Sequence, residues 1–275
     1  MSGVILAVPD CPDSAAGVLA AAARLGKLTR ATRINVLAIR LPPITATLPT
    51  EDVVPPQVAQ RIRNRERERA HALKRIYDAW SDDLAEAPEI ATEWFDIEGM
   101  ANQLVDEWGR RSDFIVMKRP AGHSVDPEQR AFHAALFDTG RPVLIVPPQF
   151  QAVRFGRRIA IAWRDDGRTI KAVLSILRCA TDAEEIHVLA GARDAAAQPR
   201  LPDILDEHGI PASLHVLPIT GQRAFGEVLL DTAHRLDADM LVMGAFARHP
   251  IRSLILGGVT RYMLDHADLP VLMRH

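Results

Sequence analysis

The sequence predicts an α/β protein made of two tandem open, doubly wound, mostly parallel five-stranded sheets with helices on both faces. Three observations predict it. Short apolar, β-branched runs alternate with stretches of helical period along the whole chain. The first half recurs in the second: Ser112-Asp-Phe-Ile-Val-Met117 matches Ala238-Asp-Met-Leu-Val-Met243, Arg141-Pro-Val-Leu-Ile145 matches Leu269-Pro-Val-Leu-Met273, and Asn35-Val-Leu-Ala38 matches His187-Val-Leu-Ala190. The length, 275 residues, suits two units of ordinary domain size. Strand and helix alternating within each copy imply parallel strands joined by right-handed crossovers.

The elements follow in order. Val4 to Val8 is too short for a helix and reads as a buried strand. Ser14 is placed to N-cap an Ala- and Leu-rich helix running to Leu28. Ile34 to Ile39 is a second strand. Leu41 to Pro49 carries three prolines that exclude regular structure. Pro56 to Leu84 is a long charged helix with Val58, Ile62, Ala70, Leu73, Tyr77, Trp80 and Leu84 near one stripe. A strand over Ala91 to Ile97, a helix over Met100 to Arg111 and a strand over Phe114 to Met117 come next. A helix then stops at Thr139-Gly140, before a strand from Arg141 to Val146.

The second copy has strands at Arg158 to Trp163, Ile186 to Ala190, Ser213 to Leu217, Met240 to Met243 and Val271 to Met273. Its helices span Arg168 to Cys179, Pro202 to His208, Phe225 to Leu236 and Val259 to His266. Pro147-Pro-Gln-Phe-Gln151 reads as a linker, so the domains are set at 1–148 and 156–275.

Composition narrows the function. Lys and Arg number 33 against 35 Asp and Glu, a net charge of -2, without the basic surplus of a nucleic-acid binder. No run of about 18 uncharged apolar residues is present to span a membrane. From Met1 to Ala23 there is no Lys or Arg, and Pro9, Asp10, Pro12 and Asp13 break the apolar run. That stretch reads as strand, turn and helix rather than as a secretion signal, and a cytoplasmic location is expected. Cys11 and Cys179 form no ligand pair and no disulfide framework. Arg61-Ile-Arg-Asn-Arg-Glu-Arg-Glu-Arg69 is read as a solvated helix face with Glu–Arg pairs, ahead of an RNA or membrane contact. The helix that carries it either covers the first half's crevice or provides an interface.

In open α/β sheets ligands sit beyond the carboxyl ends of the strands, where strand order reverses. The loops of interest therefore follow Val8, Met117, Trp163 and Met243. After Met243 comes Gly244-Ala-Phe-Ala247, then nine residues, then Gly257-Gly-Val-Thr260 opening a helix. Glycines there permit close backbone approach, and a helix N-terminus favours an anion such as phosphate. Arg248 and Arg252 lie between and add positive charge. Asp10, Asp165 and Asp166 sit at strand ends. They either cap the following helices or accept from a ribose and hold a magnesium ion.

The stretch from Asp239 to Met273 resembles the end of a universal stress protein domain. Phe137-Asp-Thr-Gly-Arg-Pro-Val-Leu-Ile-Val-Pro147 resembles the same region of the first half. The chain as a whole resembles a tandem universal stress protein. That resemblance implies a nucleotide-binding-like fold, halves arranged as an intramolecular pseudo-dimer, homodimers in some members, unidentified protein partners and a role in stress response. In some members ATP binds through Gly-x2-Gly-x9-Gly-Ser/Thr, with an acidic residue after the first strand.

Here Gly244 and Gly257 match the first and last glycines. Ala247 replaces the middle glycine, Gly258 replaces the hydroxyl residue, and Thr260 follows two further on. Arg164 stands where ATP binders show Asp, with Asp165 next. The resemblance implies a nucleotide site, ATP with Mg, in the second half. Its residues are Arg164, Asp165, Val188, Ala190, Gly244, Ala245, Ala247, Arg248, Gly257, Gly258, Val259 and Thr260. In the first half no glycine-rich loop follows Met117; Lys118-Arg-Pro-Ala-Gly-His123 is basic instead.

No nucleophile elbow, P-loop or HExxH motif occurs, so no dedicated catalyst is expected, at most slow ATP hydrolysis. The histidines show no metal-ligand spacing. His123 with His133, or His208 with His215, could meet in space, but exposed or separately satisfied histidines are the favoured reading. Three functions stand: a nucleotide-binding stress sensor, a scaffold of the same fold that does not use ATP, and a hydrolase or transferase on a doubly wound fold.

Overall fold

A computed structural model describes residues 3–46, 54–85, 90–121, 126–150, 155–180, 182–193, 199–219, 221–245, 247–248 and 255–275. In chain order the strands and helices are β1 (Gly3–Val8), α1 (Pro12–Thr29), β2 (Ala31–Arg40), α2 (Pro56–Ala85), β3 (Ala91–Glu98), α3 (Ala101–Arg110), β4 (Phe114–Lys118), α4 (Pro127–His133) and β5 (Val143–Val146). There follow β6 (Arg158–Trp163), α5 (Gly167–Ala180), β7 (Glu185–Ala192), α6 (Asp203–Glu207), β8 (Ser213–Pro218), α7 (Gln222–Arg235), β9 (Met240–Gly244), β10 (Ala247–Arg248), β11 (Ile255–Leu256), α8 (Gly258–His266) and β12 (Val271–Arg274). The α/β fold of alternating strands and helices is as the sequence predicts. The chain divides into two compact units, Met1–Arg141 with Pro148–Ala152, and Pro142–Pro147 with Val153–His275.

In the first unit the strand order is β3-β2-β1-β4, and the three pairings are parallel. β1 lies between β2 and β4, so strand order reverses at its carboxyl end. Ile5, Leu6, Ile34, Leu37 and Ile115 are fully buried, and α1 covers one face of the sheet through Ala15, Val18, Leu19, Ala22 and Leu25. α2 packs on α1 and β2 through Leu73, with Ile76 and Trp94 against the same cluster. Tyr77 meets Trp94 with the rings tilted and their centroids 5.2 Å apart, and its hydroxyl donates to Thr92 Oγ1 at 3.1 Å.

In the second unit the order is β5-β12-β9-β6-β7-β8. All pairings are parallel except that of β5, whose Val143, Leu144 and Ile145 run antiparallel to Met273, Leu272 and Val271. β5 is the strand that the sequence sets at the end of the first repeat; its pairing with β12 groups it with the second unit. β6 lies between β7 and β9, so the reversal recurs at its carboxyl end. Ile159, Ile161, Val188, Leu189, Leu241 and Val242 form the core, covered by Val173 and Ile176 of α5 and Leu229 and Ala233 of α7.

The repeat is also visible in its polar contacts. The aspartate before the fourth strand of each copy ties down the start of the first strand. Asp113 accepts from Val4 N at 2.8 Å, while Asp239 accepts from Gly156 N at 2.7 Å and from the amides of Arg157 and Arg158. Gly140, the expected helix stop, adopts φ 66° with nothing near the place of a Cβ.

Some local expectations are corrected. α1 begins at Pro12 with Cys11 at the N-cap and no side-chain cap. Proline at the first helical position supplies the right φ without wasting a donor, so the helix starts two residues earlier than Ser14. The hydroxyl of Ser14 turns instead to Asp10 Oδ1 at 3.1 Å. Within the proline-rich segment Pro43–Ala46 forms one 3-10 turn, short enough to need no interior donor from proline. α4 continues as a wider π-type turn over Ala134–Asp138.

Candidate functional site

The carboxyl ends of β6, β7 and β9 and the start of α8 enclose a cavity of about 920 Å³ in the second unit. The size falls within the range of small-molecule sites. It lies where strand order reverses, the position that open α/β sheets use for ligands. Eight of the residues expected there line it: Arg164 and Asp165 after β6, Ala190 at the end of β7, Gly244 at the end of β9, and Gly257, Gly258, Val259 and Thr260 at the start of α8.

Two of the others sit elsewhere. Val188 is fully buried inside β7 and Ala245 is fully buried after β9. Ala247 and Arg248 form β10, paired antiparallel with β11. Arg252 and His123 lie outside the described residues.

The helix end is suited to an anion. Gly257 is the N-cap of α8, and no side chain caps the helix. The amides of Gly258 and Val259 have no acceptor within the helix, and the helix dipole adds positive potential at that end. The glycines differ in what requires them. A Cβ on Gly244 would stand 2.9 Å from both Thr169 N and Thr169 Oγ1. The start of α5 therefore requires glycine at Gly244, whatever occupies the cavity.

Of the aspartates after β6, one is a helix cap. Asp166 caps α5, its Oδ1 accepting from Arg168 N and Thr169 N at 3.0 Å each. Its Oδ2 faces Arg164 Nε at 3.3 Å. Asp165 is exposed at the cavity mouth.

Several lining residues were absent from the sequence-based set. Trp163 and Phe225 provide aromatic surface, and Arg193, Arg200 and Asp203 bring charge from segments after β7. No motif in the loop after β7 marks it, although β7 is adjacent to β6 and its carboxyl end opens on the same crevice. Gly191 lies under Ile219 and Phe225, where a Cβ would come within 2.9 Å of both side chains.

The corresponding corner of the first unit holds the chain's own side chains. Lys118, at the end of β4, lies 2.7 Å from Asp10 Oδ2 and 3.1 Å from Glu128 Oε1. Burial would raise the Asp10 carboxyl, but the Lys118 ammonium and the Cys11 and Ser14 side chains outweigh it and hold its pKa below the ordinary value. Burial raises Glu128, helped by the like charge of Asp10 and opposed by Lys118. Burial would lower Lys118, yet the two carboxylates push its pKa well up.

Above this group Arg69 of α2 donates Nη1 to Asp10 O at 2.6 Å and Nη2 to Ile39 O. Its Nη2 also meets Glu66 Oε2 at 2.7 Å, and Glu66 accepts from Leu41 N at 3.0 Å. The Glu66–Arg69 pair thus lies on the inner face of α2, not on the solvated face expected. α2 closes the ends of β1 and β2. Arg69→Ala is expected to lower stability by about 2 kcal/mol, because two backbone carbonyls and the buried Glu66 lose a charged donor. Urea denaturation followed by circular dichroism measures it; an unchanged midpoint would show that water replaces the guanidinium.

The partner of His215 is not His208. His215 Nε2 lies 3.3 Å from Nδ1 of His187, its neighbour across β7 and β8. Burial, then the proximity of His187, lowers the pKa of His215. Among the described residues no group of three or more His, Cys, Asp or Glu is placed to hold a metal ion.

Residues 172–275 match the family described as universal stress protein family. No curated protein matches in sequence. Among solved structures, a universal stress protein from Archaeoglobus fulgidus DSM 4304 superposes with TM-score 0.71 at 16% identity, over 100% of this chain and 98% of that one. A putative universal stress protein from Pseudomonas aeruginosa UCBPP-PA14 gives TM-score 0.58 at 17% identity, over 98% and 92%. The cytoplasmic domain of a prokaryotic cation chloride cotransporter gives 0.53 at 14% identity, over 99% and 95%. At these identities the likeness is one of fold, and the same fold occurs in proteins of different roles.

Proposed function

We propose, for a chain whose residues 172–275 match the universal stress protein family and whose whole length follows the fold of solved universal stress proteins, that it is a cytoplasmic stress-response protein that binds ATP in its second unit. The observation that carries this reading is the cavity of about 920 Å³ at the reversal of strand order, with the uncapped start of α8 in its wall. The amides of Gly258 and Val259 would receive a phosphate group. Trp163 and Phe225 offer apolar surface to the base, and Arg193 and Arg200 would neutralise remaining charge. Asp165 and Asp203, which line the cavity, would face a ribose or a magnesium ion arriving with the nucleotide. No residue is assigned a catalytic role. Occupancy would alter the surface offered to a partner.

A second reading, a scaffold that does not use ATP, is favoured by a specific observation. Arg164 holds the position of the family's aspartate and turns toward Asp166, while Gly244 is required by packing. Calorimetric titration with Mg-ATP separates the two, after mass spectrometry for co-purified nucleotide. The expected result is about one equivalent bound, with affinity reduced tenfold or more in Gly257→Val, whose side chain blocks close approach to the helix start. No heat and no co-purified nucleotide in the native protein would establish the scaffold. Unchanged affinity in Gly257→Val would move the site away from α8.

A further inference from the structure

We propose that the outer face of α2 docks against α2 of a second copy of this chain, the two helices lying antiparallel about a two-fold axis. The charges of α2 run against its own field. Arg61, Arg63, Arg65 and Arg67 are exposed in its first half, and Asp78, Asp82 and Asp83 in its second. A helix is stabilised by acids at its start and bases at its end. α2 has no acid in its first turn and no base in its last.

Nor, apart from Asp78, are these charges neutralised within the chain. Among the described residues Arg61, Arg63, Arg65 and Arg67 form no ion pair, and the exposed pair on α2 is Lys74–Asp78. The apolar stripe of the helix is already used, since Ala70, Leu73 and Tyr77 are buried against the first unit. The pattern therefore serves neither the helix nor its own core.

It fits a reversed copy of itself. At 100° per residue, Arg61 and Asp83 lie on one flank of the outer face and Arg67 and Asp78 on the other. Asn64, Glu68, Arg75 and Asp82 lie along its centre. Laid antiparallel with the two-fold near residue 72, Arg61 meets Asp83, Asn64 meets Asp82, Arg67 meets Asp78 and Glu68 meets Arg75. Symmetry makes each contact occur twice. Each flank meets its own counterpart, as a two-fold requires. A nucleic acid or an anionic membrane would match only the basic half and be repelled by Asp78, Asp82 and Asp83. The acids select the second copy.

The test is sedimentation equilibrium of the full chain without nucleotide, at about 50 and about 500 mM salt. The expected result is a dimer at low salt whose dissociation constant rises about tenfold or more at high salt, because the interface is held by charge. Arg61→Glu with Arg67→Glu, and separately Asp78→Arg with Asp83→Arg, each keep the native circular dichroism and lose self-association. Mixing the two variants restores a dimer, since each flank then pairs opposite charges again. A native chain that is monomeric at both salts, a dimer indifferent to both variants, or a mixture that stays monomeric would overturn the proposal. So would binding of RNA or anionic vesicles by a chain that does not self-associate.

Discussion

Replacing Lys118 by methionine is expected to lower the stability of the first unit by about 3 kcal/mol. The ammonium sits between two carboxylates, 2.7 Å from Asp10 and 3.1 Å from Glu128, with only 12% of its side chain exposed. Removing it leaves two like charges together in a partly dry corner. The loss falls at the lower end for a broken buried pair because Asp10 and Glu128 keep 31% and 25% of their side-chain surface.

The pH dependence has a defined sign. In the native protein Asp10 has a lowered pKa, so its contribution is full above the ordinary carboxylate value near pH 4 and is lost as pH falls through the lower folded value. In the variant the ammonium between the two carboxylates is gone, and burial and like charge raise both carboxyls. Its deficit is then present at neutral pH and shrinks as pH falls toward about 4. Three of the four tryptophans, Trp80, Trp94 and Trp108, belong to the first unit, so fluorescence in a Trp163→Phe background follows its unfolding in urea. A deficit that stays constant from neutral pH to about pH 4 would show that Lys118 acts by packing alone.

Gly244→Val is expected to cost the second unit about 3 kcal/mol, the upper end for overpacking. Even a Cβ at this position stands 2.9 Å from the Thr169 amide and hydroxyl and 3.1 Å from Arg168 Cβ. The backbone amide cannot withdraw, because Asp166 Oδ1 holds it at 3.0 Å and so fixes the first turn of α5. β9 would have to move from β6, breaking the parallel register of Ala162 with Met243. Fluorescence of Trp163, at the end of β6, reports that unfolding. Gly244→Ala should move the midpoint in the same direction by less. Gly257→Val is expected to leave the midpoint within about 0.5 kcal/mol while weakening ATP, since that residue only opens a helix. Equal stability losses at Gly244 and Gly257 would contradict this division of roles.

The fold was legible because the period of apolar residues is local. Val4 to Val8 and Met240 to Met243 have no alternative to a buried strand, and the duplicated Ser112 to Met117 and Ala238 to Met243 mark two copies of one unit. That the strand-end residues Arg164 and Asp165 and the helix start Gly257 to Thr260 line one cavity was legible too, because crossover topology directs those ends to one crevice. Arg193, Arg200 and Phe225 were not. They are joined to the site only by the lateral neighbours of β6, and no spacing in the chain encodes that adjacency.

By itself the sequence determined the element types, the duplication and the helix start that an anion can meet, since each depends on residues within one or two turns of chain. Only the tertiary structure decided what each polar residue does, because pairing of charges depends on distances between segments far apart in sequence. It made Arg69 a closure over Asp10 and Ile39, and Lys118 the cation that fills the first unit's crevice. It also made Gly244 a packing requirement. Burial makes these contacts strong, and which residues are buried together is settled only when the sheets have formed.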